Sequence, residues 1–405
     1  MRWIVLFLQC WLASAVGAAP ATQPVTYHVY AGNTHAHTAY TWSHGEQWAK
    51  SAEGEKKAGL KVEPDGSQGP NDSARLLPDW QKHQGPPAEH FKLAKENGYD
   101  FYVTTDHSQE KDFQPPSEDN EKWVDTKRAA SEATDANFVA IAGYEHSENN
   151  GPNGTGHLNV MNSASYLNAM AAGIDLKKLY QWLQTAKPNG DGPIVASFNH
   201  PGAHGYNDWA YRDDGVTDII TMLEVINSNN RIHYEGFIQA LDHGWKVSPV
   251  CGNDNHGFWG ITRHTSRTFV LATEKTKPAI LDAMKHRRTY AALDKNIQCQ
   301  YSVNGSIMGS TLDRPQEFRF EISISDPDVS NSKNKITKID IVKDGGVVVE
   351  SHTPEPSHSI VWKPVIHDTT SKYFFVRVWN AGGGDAPKGD ANKPMAWLAP
   401  VWTGR

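Results

Sequence analysis

Five short apolar runs in this chain stop at a histidine or a carboxylate, and that placement constrains the fold more than any other feature. HVYAGNTHAH ends in His35 and His37, FYVTTDH in Asp106 and His107, and FVAIAGYEH in Glu145. PIVASFNH ends in His200, and SPVCGNDNH carries Asp254 and His256. The stretches between the runs are amphipathic and punctuated like helices. PAEHFKLAKENG (87–98) has proline near its start and Gly98 at its end, 117–134 opens with a capping serine, and RIHYEGFIQALDHG closes at Gly244. DLKKLYQWLQTAK and KPAILDAMKHRRTY complete the series. Strand–helix alternation with buried-looking strands predicts a parallel α/β barrel or sheet over residues 27–297. In a closed parallel barrel the carboxyl ends of the strands share one rim. The chain would then gather its strand-end imidazoles and carboxylates in a single pocket.

The pattern changes near Gln298. FRFEISISD, KITKIDIVKDGGVVVE, HSIVWKPV and KYFFVRVWN alternate with period two, and Asp344–Gly345 is a hairpin signal. Residues 298–405 therefore read as a small, Ig-like antiparallel β-sandwich. Residues 45–86 are polar and read as an insertion or a lid over the site. The first nineteen residues have the charge, apolar run and small-residue end of a secretory leader, with cleavage after Ala18 or Ala19. That reading makes the protein periplasmic or secreted. No later stretch is long enough to span a membrane. Of three cysteines, two lie beyond the leader, and Cys251 reads as a packed free thiol.

A net charge of -7 argues against nonspecific binding to nucleic acid or to an anionic membrane. Nineteen histidines are many for an ordinary chain of this length, and they call for a metal or acid–base explanation. His35-x-His37 at a strand end sends both rings to one side, as two ligands of one ion require. Imidazole suits Zn, Fe or Mn, and a carboxylate can bridge two ions. Glu145 is the natural bridge, and Asp254-x-His256 repeats the pair spacing. His157 stands in GTGHLNV. His146, His204, His233, His243 and His264 have no motif support and read as solvated or helix-surface residues. Arg263 follows the DNH loop and is an anion contact or a plain salt-bridging arginine. Tyr40, Trp42 and Trp259 line a substrate pocket or pack over its mouth.

GNTHAHT, YVTTDHS, AGYEHS, GHLNV, FNHPG and GNDNHG, taken together and in order, resemble the motifs of the PHP (polymerase and histidinol phosphatase) superfamily. Within it, the chain most resembles the CehA/McbA-type metallohydrolases. The resemblance implies a distorted (β/α)7, TIM-like barrel holding two or three divalent ions. Carried over residue by residue, it places His35, His37, Glu145 and Asp254 on one ion and Glu145, His157 and His200 on a second. His107 and His256 would hold a third, with His44 as the candidate from the loop after HxH, where this chain departs from the usual spacing. Asp106 is a supporting or bridging group.

Clustered divalent ions lower the pKa of bound water toward ~7, and paired ions can hold attacking and leaving oxygens together. These features predict an exported hydrolase. Phosphoester hydrolysis comes first, with a hydroxide bridging the ions at Glu145 as nucleophile and His107, His256 or Asp106 protonating the leaving group. Its substrates would be small molecules or cell-envelope esters. One rival is hydrolysis of a carbamate, carboxylic ester or amide with the same cluster. Another is a non-catalytic secreted protein that binds glycan or polymer and uses its metals structurally.

Overall fold

The computed structural model describes residues 25–49, 60–64, 66–72, 74–148, 155–382 and 394–405. The leader reading falls on residues outside these. The five apolar runs form strands His28–Asn33, Phe101–His107, Val139–Glu148, Val195–Asn199 and Ser248–Cys251. Gly156–Met161 and Ile220–Asn227 lie among them. Helices Pro87–Glu96, Glu121–Ala133, Leu176–Leu183, Tyr234–Asp242 and Lys277–Lys285 fill the intervals, as the amphipathic stretches predict. The second is capped by Asn120, whose side chain accepts from Lys122 N and Trp123 N, and not by the serine at 117.

The closed parallel barrel is corrected. Fifteen of the described strands form one mixed sheet whose ladder does not close, in an α/β chain that is rich in strands. Its parallel part pairs His28–Asn33 with Phe101–His107, and that strand with Val139–Glu148. Val195–Asn199, Ile220–Asn227 and Ser248–Cys251 form a second parallel run. Gly156–Met161 joins the two runs antiparallel to both neighbours. At the far side Arg267–Ala272 runs antiparallel to His28–Asn33, and Thr289–Ala292 antiparallel to Arg267–Ala272. Side chains complete the curl: Thr268 Oγ1 donates to Cys251 O at 2.8 Å, and Thr289 Oγ1 to Pro249 O at 3.0 Å.

The β-rich tail continues this sheet instead of standing apart. Ala396–Leu398 pairs with Thr289–Ala292, placing Leu398 opposite Tyr290. Tyr373–Asn380, Ile336–Lys343 and Val347–His352 extend it in turn. A second sheet of five strands, including Gln298–Val303 and Glu317–Ser325, packs over it. The alternating pattern of EFRFEISIS buries Phe318, Phe320, Ile322 and Ile324 against Phe374, Val376 and Leu398. The Asp344–Gly345 turn joins an antiparallel hairpin, with Lys343 opposite Val347. Cys251 and Cys299 are both buried and unbridged.

Candidate metal centre

Strand direction explains why His157 belongs with residues that end other strands. Gly156–Met161 runs against its neighbours, so its first residues lie at the rim where the others finish. His157 pairs with Asn199 on one side and Ser147 on the other. The HxH and DNH segments are stitched together by backbone: Asp254 N donates to His35 O at 3.0 Å, and His37 N to Asn255 O at 2.9 Å. Ala36 between the two histidines sits on Thr105 Oγ1, which leaves both rings on the opposite side.

Glu145 is the hub. Its carboxylate is 3.0 Å from His107 Nε2, 3.3 Å from His157 Nδ1 and 3.4 Å from His35 Nε2. His37 Nε2 and His200 Nε2 each stand 3.6 Å away. Asp254 Oδ1 lies 3.1 Å from His37 Nε2, 3.4 Å from His35 Nε2 and 3.6 Å from His256 Nε2. Three ligand groups are close enough to share an ion: His35, His37 and Glu145; Glu145, His157 and His200; and His37, His107 and His256. A fourth joins His44 and His107 to Glu110. His44 thus reaches the cluster, its ring 5.1 Å from that of His107. The donor set is imidazole and carboxylate, which suits divalent first-row metals.

The charges are those a cation site needs. Burial alone would push the Glu145 carboxyl up, but His35 and His157 outweigh it and hold it well below the usual carboxylate range. Asp254 is held down against burial in the same way, chiefly by His35. His35 is pushed down by burial, yet Glu224, Asp254 and Glu145 leave it well above an ordinary histidine. His107 rises to about 10 against burial because Glu110 and Glu145 flank it. Burial and neighbouring His256 keep His37 well below its ordinary value.

Several groups that support the cluster escape sequence reasoning. Glu224 is fully buried; it faces His35 Nδ1 at 2.7 Å and accepts from His200 N and Asn227 Nδ2 at 2.8 Å each. That arrangement turns His35 Nε2 toward Glu145. Its one signal is a lone acid inside the apolar run DIITMLEVIN. Glu110 accepts from Ser43 N at 3.0 Å and from Ser43 Oγ, and no pattern marks it. Asn199 Nδ2 donates to Glu145 at 2.9 Å.

Other predicted residues are placed differently. Asp106 anchors the loop after the HxH pair, as a supporting group. Its two oxygens accept from Thr38 N, Thr38 Oγ1 and Thr41 Oγ1 at 2.7 Å each and from Thr41 N at 3.0 Å. Asp106→Asn turns an amide N–H toward these donors, so it should cost about 1–3 kcal/mol and lower the melting temperature. Metal content should be retained; an unchanged melting temperature would argue against the anchor role. Tyr40 gives its hydroxyl to Asp125, and Trp42 packs edge-on against Trp48 and Trp80. Arg263 ends the short helix Trp259–Arg263 and lines a cavity of about 610 Å³ with Trp259, Phe258, Asn229 and Glu46. None of the cluster's imidazoles or carboxylates lines it; the link is through its wall, where Glu46 N bonds His256 O at 2.8 Å, and Ser228, next to Asn229, bonds Asp254 Oδ2 at 3.1 Å.

Among the histidines without motif support, His204 is exposed, whereas His146 is fully buried on the face of its strand opposite Glu145. Burial drives its pKa down to about 3. His233 is half-buried near the cluster, its ring 6.4 Å from that of His200.

No protein-family model and no curated protein matches the chain. Among solved structures, the chain is similar to a two-domain protein from Bacteroides vulgatus containing a predicted PHP-like metal-dependent phosphoesterase. Identity is 16%, with 95% of this chain and 100% of that chain covered, at a TM-score of 0.43. At that level the activity has to be argued from the residues of the site.

Proposed function

We propose that this chain is a metal-dependent hydrolase, that its reaction is phosphoester hydrolysis, and that its kinship is with the PHP superfamily in the CehA/McbA-type branch. One observation carries the reading: five imidazole nitrogens stand within 3.6 Å of the single buried carboxylate of Glu145. A structural role gives no reason to bury so many titratable groups around one acid. His35, His37, Glu145 and Asp254 would hold one divalent ion, and Glu145, His157 and His200 a second. Such ions, when bound, lower the pKa of water and neutralise charge developing on a phosphoryl centre.

The chain's own residues do the rest. Glu224 and Asn199 fix the rings and the hub carboxylate. His107, flanked by Glu110 and Glu145, would carry the proton for the leaving oxygen. Arg263 and Trp259 would receive the remainder of the substrate in the cavity they line. Export to the periplasm or beyond, from the leader pattern, belongs to the same proposal. Among the described residues no helix is long and apolar enough to cross a membrane.

The testing experiment is elemental analysis of the purified protein combined with a phosphate-release screen. Bound divalent metal with phosphate release supports the reading. Metal with activity only on carbamates or carboxylic esters moves the reaction to carbon. Metal with no turnover and retention on polysaccharide moves it to binding.

The raised pKa values of His35 and His107 also set a pH dependence. A histidine must lose its proton to become a ligand, so loading an ion at His35 expels a proton. Affinity should fall as pH falls, by about tenfold per pH unit for each proton displaced. Calorimetric titration with Mn(II) at a series of pH values around neutrality checks this, and a pH-independent affinity would contradict it.

A further inference from the structure

The segment after His200 contains a turn that L-amino acids avoid. Tyr206, Asn207, Asp208 and Trp209 have φ of 55°, 52°, 54° and 61°, a left-handed turn built without glycine. In that conformation Cβ crowds the following carbonyl, so the turn persists only where its surroundings impose it. Those surroundings are specific. The Tyr206 ring is buried between Phe198, with ring centroids 4.4 Å apart, and Trp209, at 5.2 Å. Trp209 Nε1 donates to Ala203 O at 2.8 Å, and Trp245 Nε1 to Trp209 O at 3.0 Å. Gly156 makes room, since a Cβ at that position would overlap the Tyr206 ring.

What the turn delivers is one hydroxyl. Tyr206 Oη lies 2.7 Å from His157 O and 2.7 Å from Asn199 O. These two residues face each other across the ladder, at the rung from which both ligands of one ion group depart. His157 is itself one of that group. His200 follows Asn199 and leaves the strand at once, with φ 33°. Their nitrogens stand 3.3 Å and 3.6 Å from the same oxygen, Glu145 Oε1. His35, His37 and Asp254 hang from other segments.

We propose that Tyr206 is the positioning residue of the His157–His200–Glu145 group, and that the left-handed turn exists to aim its hydroxyl at that rung. The inference rests on reading the cluster as a metal centre, and it goes further in separating the two ion groups. The hydroxyl shares its hydrogen between two carbonyls and fixes the spacing of two strand ends, so ligand geometry depends on a group that touches no ligand atom.

The test is titration of the metal-free full chain with Mn(II), followed by elemental analysis after dialysis. Tyr206→Phe keeps the ring packing and removes the hydroxyl. It should weaken one class of bound Mn(II) by about tenfold or more and leave the other unchanged. His157→Ala should lose the same class. Asp208→Val provides a variant whose own side chain lies outside the core. Asp208 is exposed, and a β-branched residue at its φ opposes the turn; the same class should weaken. Wild-type protein that binds no Mn(II) would refute the metal-centre reading itself. Tyr206→Phe and Asp208→Val that bind both classes as wild type does, with only a lower melting temperature, would overturn the positioning role alone.

Discussion

Replacing Glu145 by alanine is expected to strip the protein of its divalent ions and abolish turnover while the fold survives. The carboxylate is the shared member of two ligand groups, so its loss removes charge from both at once. A fall in rate of roughly 10³-fold or more is expected when a metal-activated nucleophile is lost. The fold should persist because the strand is held by neighbours other than the cluster. Val139 and Ile141 pack with Phe101, Val103 and Val195 in a separate apolar layer. Without the hub, His35 keeps Glu224 and Asp254 beside it and His107 keeps Glu110, so neither buried imidazole is left without a carboxylate partner. Circular dichroism, elemental analysis and phosphate release on the same sample check all three parts. A variant with full metal and an unchanged rate would refute the assignment.

Glu224→Gln is expected to have the second largest effect, although Glu224 belongs to none of the ligand groups. The carboxylate serves His35 Nδ1, the His200 backbone N–H and the Asn227 amide together. Glutamine supplies one acceptor oxygen in place of two and turns an N–H toward a donor. Leaving a buried donor unpaired costs about 1–3 kcal/mol. Loss of an orienting partner behind a histidine ligand typically costs roughly 10–100-fold in metal affinity. Both should appear together, as a lower melting temperature and weaker Mn(II) binding. Unchanged affinity in a less stable protein would mean that Glu224 only fills space.

The two variants differ in how visible their targets are in the sequence. Glu145 ends an apolar run in company with HxH, TDH and DNH, and that ordered company survives without coordinates. Glu224 sits inside an apolar run, where a single acid reads as an irregularity, and its partners lie 189 and 24 positions away in the chain. Glu110 and Asn199 are hidden for the same reason: only folding brings them to the cluster. His44 shows the converse, since its loop spacing is unusual and yet the ring arrives beside His107.

For the fold, hydrophobic periodicity places the helices and strands well but says nothing of strand direction. GTGHLNV has the residues of a strand, and nothing in it marks the antiparallel course that carries His157 to the rim. The tail's alternation signals antiparallel sheets. It cannot signal that AWL, more than a hundred residues after the strand at Thr289–Ala292, returns to pair with it. The turn at Tyr206–Trp209 is equally silent, because no glycine announces its positive φ.

Anomalous diffraction from crystals grown with Mn(II) tests the central claim most directly. The account predicts density for cations on both sides of the Glu145 carboxylate, one within bonding distance of His35, His37 and Asp254 and the other of His157 and His200. Crystals saturated with Mn(II) that show no anomalous peak beside Glu145 would contradict it.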